Sequence, residues 1–492
     1  LAWVLLGAGS ARATDDPPQG VFDEGWFVMK LQGQKTGHMH STSTRRGNEI
    51  LTHVVTRIEL ARGRSRIEIE LQQRYRETVT GRPLAFQHTT RMGKIPVTRS
   101  GVIADGRLTL TTEQSGVKRV KEYDFDPDIK FAWGQVLLMK EHGLQPGTTF
   151  RTKIYEPDIR IDGPVEAEFA VGKKEPVNVL GRTMNLTRVT TTMDLAMPLK
   201  SVTWMDDEAA PIVTMIKVGP FDFKMYLASK EEALGESDAP EMFVQTFVPV
   251  ERRIKLSAER VKLRMRLPAD SPDKLPPIPE TTMQSVRRIN DREAVVTIRR
   301  VDWESLANVG DNPPVKDMAE FLKASTILDI DNRRIKRLAR RAIKGVSTPS
   351  ERADALRRFV TKYITDKSLD VGFATASEVA QTREGDCTEH GVLLAALARA
   401  AGIPARGVSG IIQIPAGPFA PSKGSAFGFH MWTQVNIGGR WIDLDAAMRQ
   451  TDCDPTHIAL SLMPLNEEGM VESVLALLPL LGKLQIEVIE VE

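Results

Sequence analysis

From Gly25 to about Leu234 apolar and polar residues alternate in short stretches rich in Ile, Val, Thr, Phe and Tyr. Turn signals at Arg46-Gly47-Asn48, Arg62-Gly63, Thr80-Gly81, Met92-Gly93, Asp105-Gly106 and Ser115-Gly116 separate them. A period of two broken by such turns predicts successive antiparallel strands. Arg66-Ile67-Glu68-Ile69-Glu70-Leu71 shows the pattern directly, with one face for a core and one for water. So long a sheet must curl to protect its edges, and a large curved sheet or open barrel is expected. His38, His40, His53 and His88 are scattered through this half and are expected at the surface. No catalytic constellation is visible there.

Asp238 to Pro240 and the stretch from Leu267-Pro268 through Pro276-Pro277-Ile278-Pro279 read as connectors, with strand-like segments between Met242 and Leu267 and at Ala294-Val295-Val296-Thr297-Ile298. After Pro313-Pro314 the period changes to about 3.6. Ile330 to Ile343 reads as a basic amphipathic helix stopped by Gly345. Thr348-Pro349-Ser350-Glu351 is a capping box that opens a second helix, running to about Ile364. The arginines and lysines of the first helix read as a solvated face. The expected plan is a leader remnant at 1–13, a β-rich domain at 20–236, a small β-rich domain or connector at 237–312, an α+β domain at 313–466 and a tail at 467–492.

Composition narrows the partners. With 492 residues, 41% hydrophobic and 26% charged, the chain is that of a soluble globular protein. Lys and Arg total 66 against 64 Asp and Glu, a net charge of +2, so no field draws it to nucleic acid and no such partner is expected. Leu1 to Leu6 are almost wholly apolar, and Ala11-Arg12-Ala13 precedes the polar Thr14-Asp15-Asp16, the pattern at the end of a secretory leader. A periplasmic or secreted protein is expected. Val474 to Leu481 is too short to span a bilayer, which needs about 20 apolar residues, and no integral membrane segment is expected in the mature chain.

Two cysteines, Cys387 and Cys453, exclude a disulfide framework and a four-cysteine zinc site. Gly385-Asp386-Cys387-Thr388-Glu389-His390 leads into an apolar helix ending at Gly402, with Pro404 beyond. Cys387 therefore falls at a helix N-terminus, where unpaired N–H groups favour a thiolate and offer donors to an oxyanion. Asp386 reads as the cap. Farther on, Gly438-Gly439 is a two-residue hairpin loop between Phe429 to Ile437 and Arg440 to Asp445. If Ile437 pairs with Arg440, Gln434 faces Asp443 and Trp432 faces Asp445, with His430, Trp432, Gln434, Asp443 and Asp445 on one face. Asp445 lies diagonal to His430, within reach of its ring. Nucleophile, base and orienting carboxylate are the parts of cysteine-dependent acyl transfer.

The run Glu384 to His390, the following Ala401-Gly402-Ile403-Pro404-Ala405-Arg406, the strand His430-Met431-Trp432-Thr433 and the strand Trp441 to Asp445 resemble the transglutaminase-like superfamily of cysteine enzymes. The resemblance covers about Pro314 to Pro464 and keeps the family's motif order. It implies a papain-like fold with Cys387 as nucleophile, His430 as general base and acid, and Asp445 as third member. Asp386, His390, Trp432 and Gln434 are expected around a substrate cleft. Gln434 stands where members commonly carry Glu, and Ala446 where they carry Pro. The implied reaction is acyl transfer on peptide or glutamine amides through a thioester, as protease, amidase or transglutaminase, with a polypeptide substrate or partner and no cofactor. Four other readings compete: a structural Cys387 buried as a small hydrophobe, a Cys387–Cys453 disulfide that silences the nucleophile, a metal site begun by Cys387 and His390 for which no second ligand pair stands nearby, and a non-catalytic peptide-binding module. Calcium dependence and oligomeric state are not legible.

Overall fold

The computed structural model describes residues 16–62, 65–92, 96–114, 116–195, 198–218, 221–241, 246–306, 316–367, 374–414, 425–466, 469, 473 and 476–492. The expected leader at 1–13, the turn positions Gly63, Gly93 and Ser115, and Pro313-Pro314 lie outside the described residues. The chain divides into two compact units, residues 1–61 with 66–240, and residues 62–65 with 241–492.

The first unit is one curled sheet of fifteen strands. They are β1 (Gly20–Leu31), β2 (Gln34–Arg46), β3 (Glu49–Arg62), β4 (Ser65–Thr78), β5 (Pro83–Arg91), β6 (Val97–Ala104), β7 (Arg107–Gln114), β8 (Val117–Asp124), β9 (Ile129–Lys130), β10 (Thr149–Ile154), β11 (Val165–Val179), β12 (Arg182–Met193), β13 (Leu199–Met205), β14 (Pro211–Val218) and β15 (Phe221–Ala228). Neighbours in sequence are neighbours in the sheet from β1 to β8 and from β15 back to β9; β1 and β15 join the two runs antiparallel, and β9 lies parallel to β10. Two helices accompany it, α1 (Ala132–His142) and α2 (Lys230–Leu234).

The interior of this unit is aromatic. Tyr75, Phe86, Phe125, Phe131 and Tyr155 form one buried cluster with Leu108 and Leu110. Phe86 on β5 pairs with Gly101 on β6, and its ring covers the glycine; a Cβ at Gly101 would come within 2.0 Å of it. Glu77 accepts the N–H groups of Trp133 (2.7 Å) and Gly134 (2.8 Å) at the start of α1, while burial pushes its carboxyl up to about 8. His88 departs from expectation. It is buried, with Nδ1 3.0 Å from Asp158 and 3.2 Å from Glu156, because the two carboxylates need a cation inside the sheet; Arg99 bonds Asp158 at 2.7 Å and Tyr75 donates to Glu156 at 3.2 Å. His88 and Arg99 balance both acids. This cluster is the one group with metal-ligand spacing among the described residues.

The second unit holds two sheets and a helical layer. Its strands are β16 (Val248–Val250), β17 (Arg260–Arg266), β18 (Gln284–Asn290), β19 (Glu293–Arg299), β20 (Ala405–Gln413), β21 (Ser425–Ile437), β22 (Arg440–Leu444), β23 (Ile458–Met463) and β24 (Gln485–Val491). Its helices are α3 (Arg333–Ala342), α4 (Pro349–Tyr363), α5 (Ala376–Thr382) and α6 (Cys387–Ala400). One sheet runs β18-β19-β17-β24, so the connector region and the last strand of the chain share a sheet. The other runs β16-β21-β20-β23, with β22 on β21. Residues Val392 to Ala398 of α6 are fully buried in a core shared with α3, α4 and α5. That core fixes the helix whose first residue is Cys387. No helix among the described residues is long and apolar enough to cross a membrane.

Gly101→Ala is expected to displace the Phe86 ring and destabilise the first unit by about 1–3 kcal/mol, the usual effect of overpacking. Chemical denaturation of the variant checks it, and an unchanged midpoint refutes it.

Candidate active site

The turn into α6 requires glycine at position 385. Its φ is 149°, and a Cβ there would lie 2.2 Å from Cβ of Glu389. Asp386 then caps the helix: its carboxylate accepts the Thr388 N–H at 2.8 Å, and Glu389 returns the bond to the Asp386 N–H at 3.0 Å. Glu389 is wholly buried, and burial with the neighbouring Asp386 pushes its carboxyl well above the ordinary carboxylate range. These bonds set Cys387, half-buried, on the first turn of α6. The helix lies close on β21, where the Thr433 hydroxyl donates to the Gly391 carbonyl at 3.0 Å.

His430 comes from β21 and pairs with Gly410 of β20. Its Nε2 lies 2.6 Å from Asp445 Oδ2, and Cys387 stands close enough to act electrostatically on the same ring. A carboxylate only accepts, so Nε2 carries a proton and Nδ1 is the nitrogen left for sulfur. Burial alone would lower the imidazole pKa, but Asp445 and Cys387 outweigh it and raise it to about 10. Burial likewise opposes the Asp445 charge, and the two imidazoles beside it, His430 and His457, prevail and hold that carboxyl far below its usual range.

The hairpin register matches expectation at Ile437–Arg440 and Gln434–Asp443, but the ladder ends at Thr433–Leu444, one pair before Trp432 and Asp445. Asp445 leaves β22 and closes a turn with Gln450 through two backbone bonds of 2.8 Å. It meets His430 by its side chain alone. Trp432 and Gln434, expected at a cleft, are buried at 1% and 0% exposure. Both donate to Asp443, Gln434 at 3.0 Å, and Gln434 accepts from Arg406 at 2.9 Å. His390 is also buried; its Nδ1 donates to the Asp386 carbonyl at 2.6 Å, Nε2 has no partner among the described residues, and burial lowers its pKa. Asp386 is half-buried and serves as the cap. Cys387 and Cys453 are both free thiols in different cores, so the bridge between them is not formed. Burial pushes the Cys453 thiol well up.

Sequence reasoning passed over His457. Its Nε2 lies 3.2 Å from Asp445 Oδ2, the oxygen that also meets His430. Burial lowers its pKa, Asp445 and Asp454 raise it, and the balance is about 9. A visible signal was Asp454-Pro455-Thr456-His457, in which Asp454 accepts the Thr456 N–H at 2.8 Å as a local turn.

The first turn of the buried helix α6 thus carries Cys387, and the adjoining strand β21 carries His430. Residues 336–446 match the family model of the transglutaminase-like superfamily, and the chain carries a transglutaminase-like domain. Three solved structures show low similarity. A candidate cysteine protease from Cytophaga hutchinsonii is 16% identical, covering 48% of this chain and 89% of its own, with a TM-score of 0.32. A β-barrel-like protein of the DUF1849 domain from Brucella abortus is 15% identical, covering 44% and 98%, with a TM-score of 0.34. The periplasmic domain of TgpA from Pseudomonas aeruginosa, solved with ethylmercury, is 16% identical, covering 42% and 86%, with a TM-score of 0.25. No curated protein matches the chain.

Raised pKa values at His430 and His457, about 10 and about 9 against an ordinary 6.5, mean that folding takes up protons between those limits. This stabilisation is complete below 6.5 and is lost as the pH rises through 9 to 10. Asp445→Asn is expected to lower the His430 titration midpoint and to shrink the alkaline loss of stability. Histidine NMR titration and melting curves from neutral to alkaline pH check this; a His430 midpoint unmoved in the variant refutes it.

Proposed function

We propose that the second unit catalyses cysteine-dependent acyl transfer on polypeptide amides, with Cys387, His430 and Asp445 as its triad. The observation that carries this is the His430 ring, bonded to Asp445 at 2.6 Å and within electrostatic reach of Cys387 at the start of α6. His430 already holds the proton given up by Cys387, and the sulfur attacks the amide carbonyl carbon as a thiolate. As the C–S bond forms, the carbonyl oxygen becomes an oxyanion, and the Cys387 N–H at the α6 terminus is one donor placed to receive it. His430 returns the proton to the departing amine as the C–N bond breaks, leaving a thioester. Water, deprotonated by the same ring, then releases the acid and restores the thiol. An amine in place of water would give transamidation. Asp445 holds the imidazolium through both steps.

The leader-like residues 1–13 support export, and the substrate class that follows is envelope or extracellular polypeptide. The first unit is then an accessory domain that presents substrate or docks a partner. Incubation with denatured casein, reading new termini against incorporation of a fluorescent primary amine, separates hydrolysis from transamidation. Cys387→Ala is expected to abolish the product formed, and His430→Ala to lower it by about 10²–10⁴-fold. Iodoacetamide is expected to label Cys387 and spare Cys453, with activity lost in step with labelling. Activity surviving in Cys387→Ala overturns the proposal.

A further inference from the structure

Asp445 is gripped on every side. Its Oδ1 accepts the Met448 N–H at 2.8 Å, and its backbone is tied both ways to Gln450. Oδ2 lies between two imidazoles, His430 at 2.6 Å and His457 at 3.2 Å. His457 is itself oriented from behind, because its Nδ1 lies 3.1 Å from the Asp454 carbonyl oxygen and 3.7 Å from the Asp454 carboxylate. Asp454 is in turn held by Gln450, through Nε2 at 2.7 Å and Oε1 at 2.8 Å, and by Thr456. Residues 445 to 457 thus form a loop whose two ends meet at the Asp445–His457 contact.

The acceptors decide the charge. Nε2 of His457 faces a carboxylate oxygen and Nδ1 faces a carbonyl oxygen, and neither can donate. Both ring nitrogens must therefore carry protons, which makes His457 an imidazolium. Asp443, Asp445 and Asp454 surround it and offset its charge. Around His430 stand Asp445 and Cys387, and Lys367 lies within electrostatic reach of Asp445. The sheet is built to allow the contact. Trp432 lies edge-on to His457 with centroids 5.2 Å apart, crossing β20 at Gly410, where a Cβ would come within 2.6 Å of the indole and 2.2 Å of the Ile458 carbonyl.

We infer that His457 is a positioning residue for the reaction proposed above: as a cation it clamps Asp445 in place, and by sharing that carboxylate it keeps His430 from holding its proton too tightly. The inference rests on the triad reading. Two consequences separate it from mere packing. An Asp445 without its second imidazole is free to turn away from His430. An Asp445 with a neutral donor in that place stays put but gives its whole charge to His430.

Nitrogen-15 histidine NMR on the wild-type chain, with Cys387 alkylation by iodoacetamide as the activity-independent readout, tests this. At neutral pH both ring nitrogens of His457 are expected to be protonated. His457→Leu, which removes the donor, is expected to slow alkylation of Cys387 by about tenfold or more, the effect of losing a hydrogen bond to a charged group. His457→Gln, which keeps a donor and removes the charge, is expected to restore most of that rate and to move the His430 midpoint upward. A bare nitrogen on wild-type His457, or a His430 midpoint unchanged in a folded His457→Gln, overturns the inference. If neither variant folds, the wild-type ring protonation decides alone. Alkylation of Cys387 that is indifferent to His430→Ala sinks the triad reading instead, and is distinguishable because the His457 protonation is read without it.

Discussion

Everything around the site follows from one buried negative charge. Asp445 is 1% exposed, and an ionised carboxylate that deep is unfavourable unless charges and donors surround it. The chain supplies them from three directions: the Met448 N–H from its own turn, His430 from β21, and His457 from the residue just before β23. β20 lies between β21 and β23, and Gly410 on it leaves the room that the Trp432 ring and the Ile458 carbonyl occupy next to the two histidines. The Cys387 helix completes the arrangement by packing its buried face on the same sheet.

Local chemistry made much of this domain legible. The Thr348 to Glu351 capping box opens α4, Asp386 caps α6, and Gly438-Gly439 sets the register that pairs Gln434 with Asp443. Each is decided within a few residues. What escaped depends on where the ladder stops. Extending it by one pair placed Trp432 and Asp445 face to face on an open strand surface, whereas Asp445 belongs to a turn and Trp432 is buried. His457 lies two residues past Pro455 in a stretch with no period, so no pattern tied it to a strand two places away in the sheet.

The first unit divides in the same way. Period-two alternation and glycine turns announce strands one at a time, and sequential pairing follows from the hairpins. That β1 and β15 join two separate runs into a single sheet is a contact across nearly the whole unit, which no turn encodes. His88 fails for a related reason. Its partners Glu156 and Asp158 lie about 70 residues away, so the buried ion cluster exists only once the sheet has curled.

The two aspartates of β22 and its following turn show how the fold assigns different chemistry to like residues. Asp443 and Asp445 are both buried, yet burial raises the first above its usual range while the second is held far below. The difference is in the donors. Asp443 receives neutral N–H groups from Trp432 and Gln434, which stabilise an anion weakly, and Asp445 receives two imidazoles, which carry charge. Glutamine at 434 fits that scheme: its amide donates to Asp443 and accepts from Arg406, linking the carboxyl to a guanidinium that stacks on Trp441 at 4.0 Å. A glutamate there could accept from Arg406 but would place a second acceptor against Asp443, so the amide is what lets this chain bury Asp443 beside position 434.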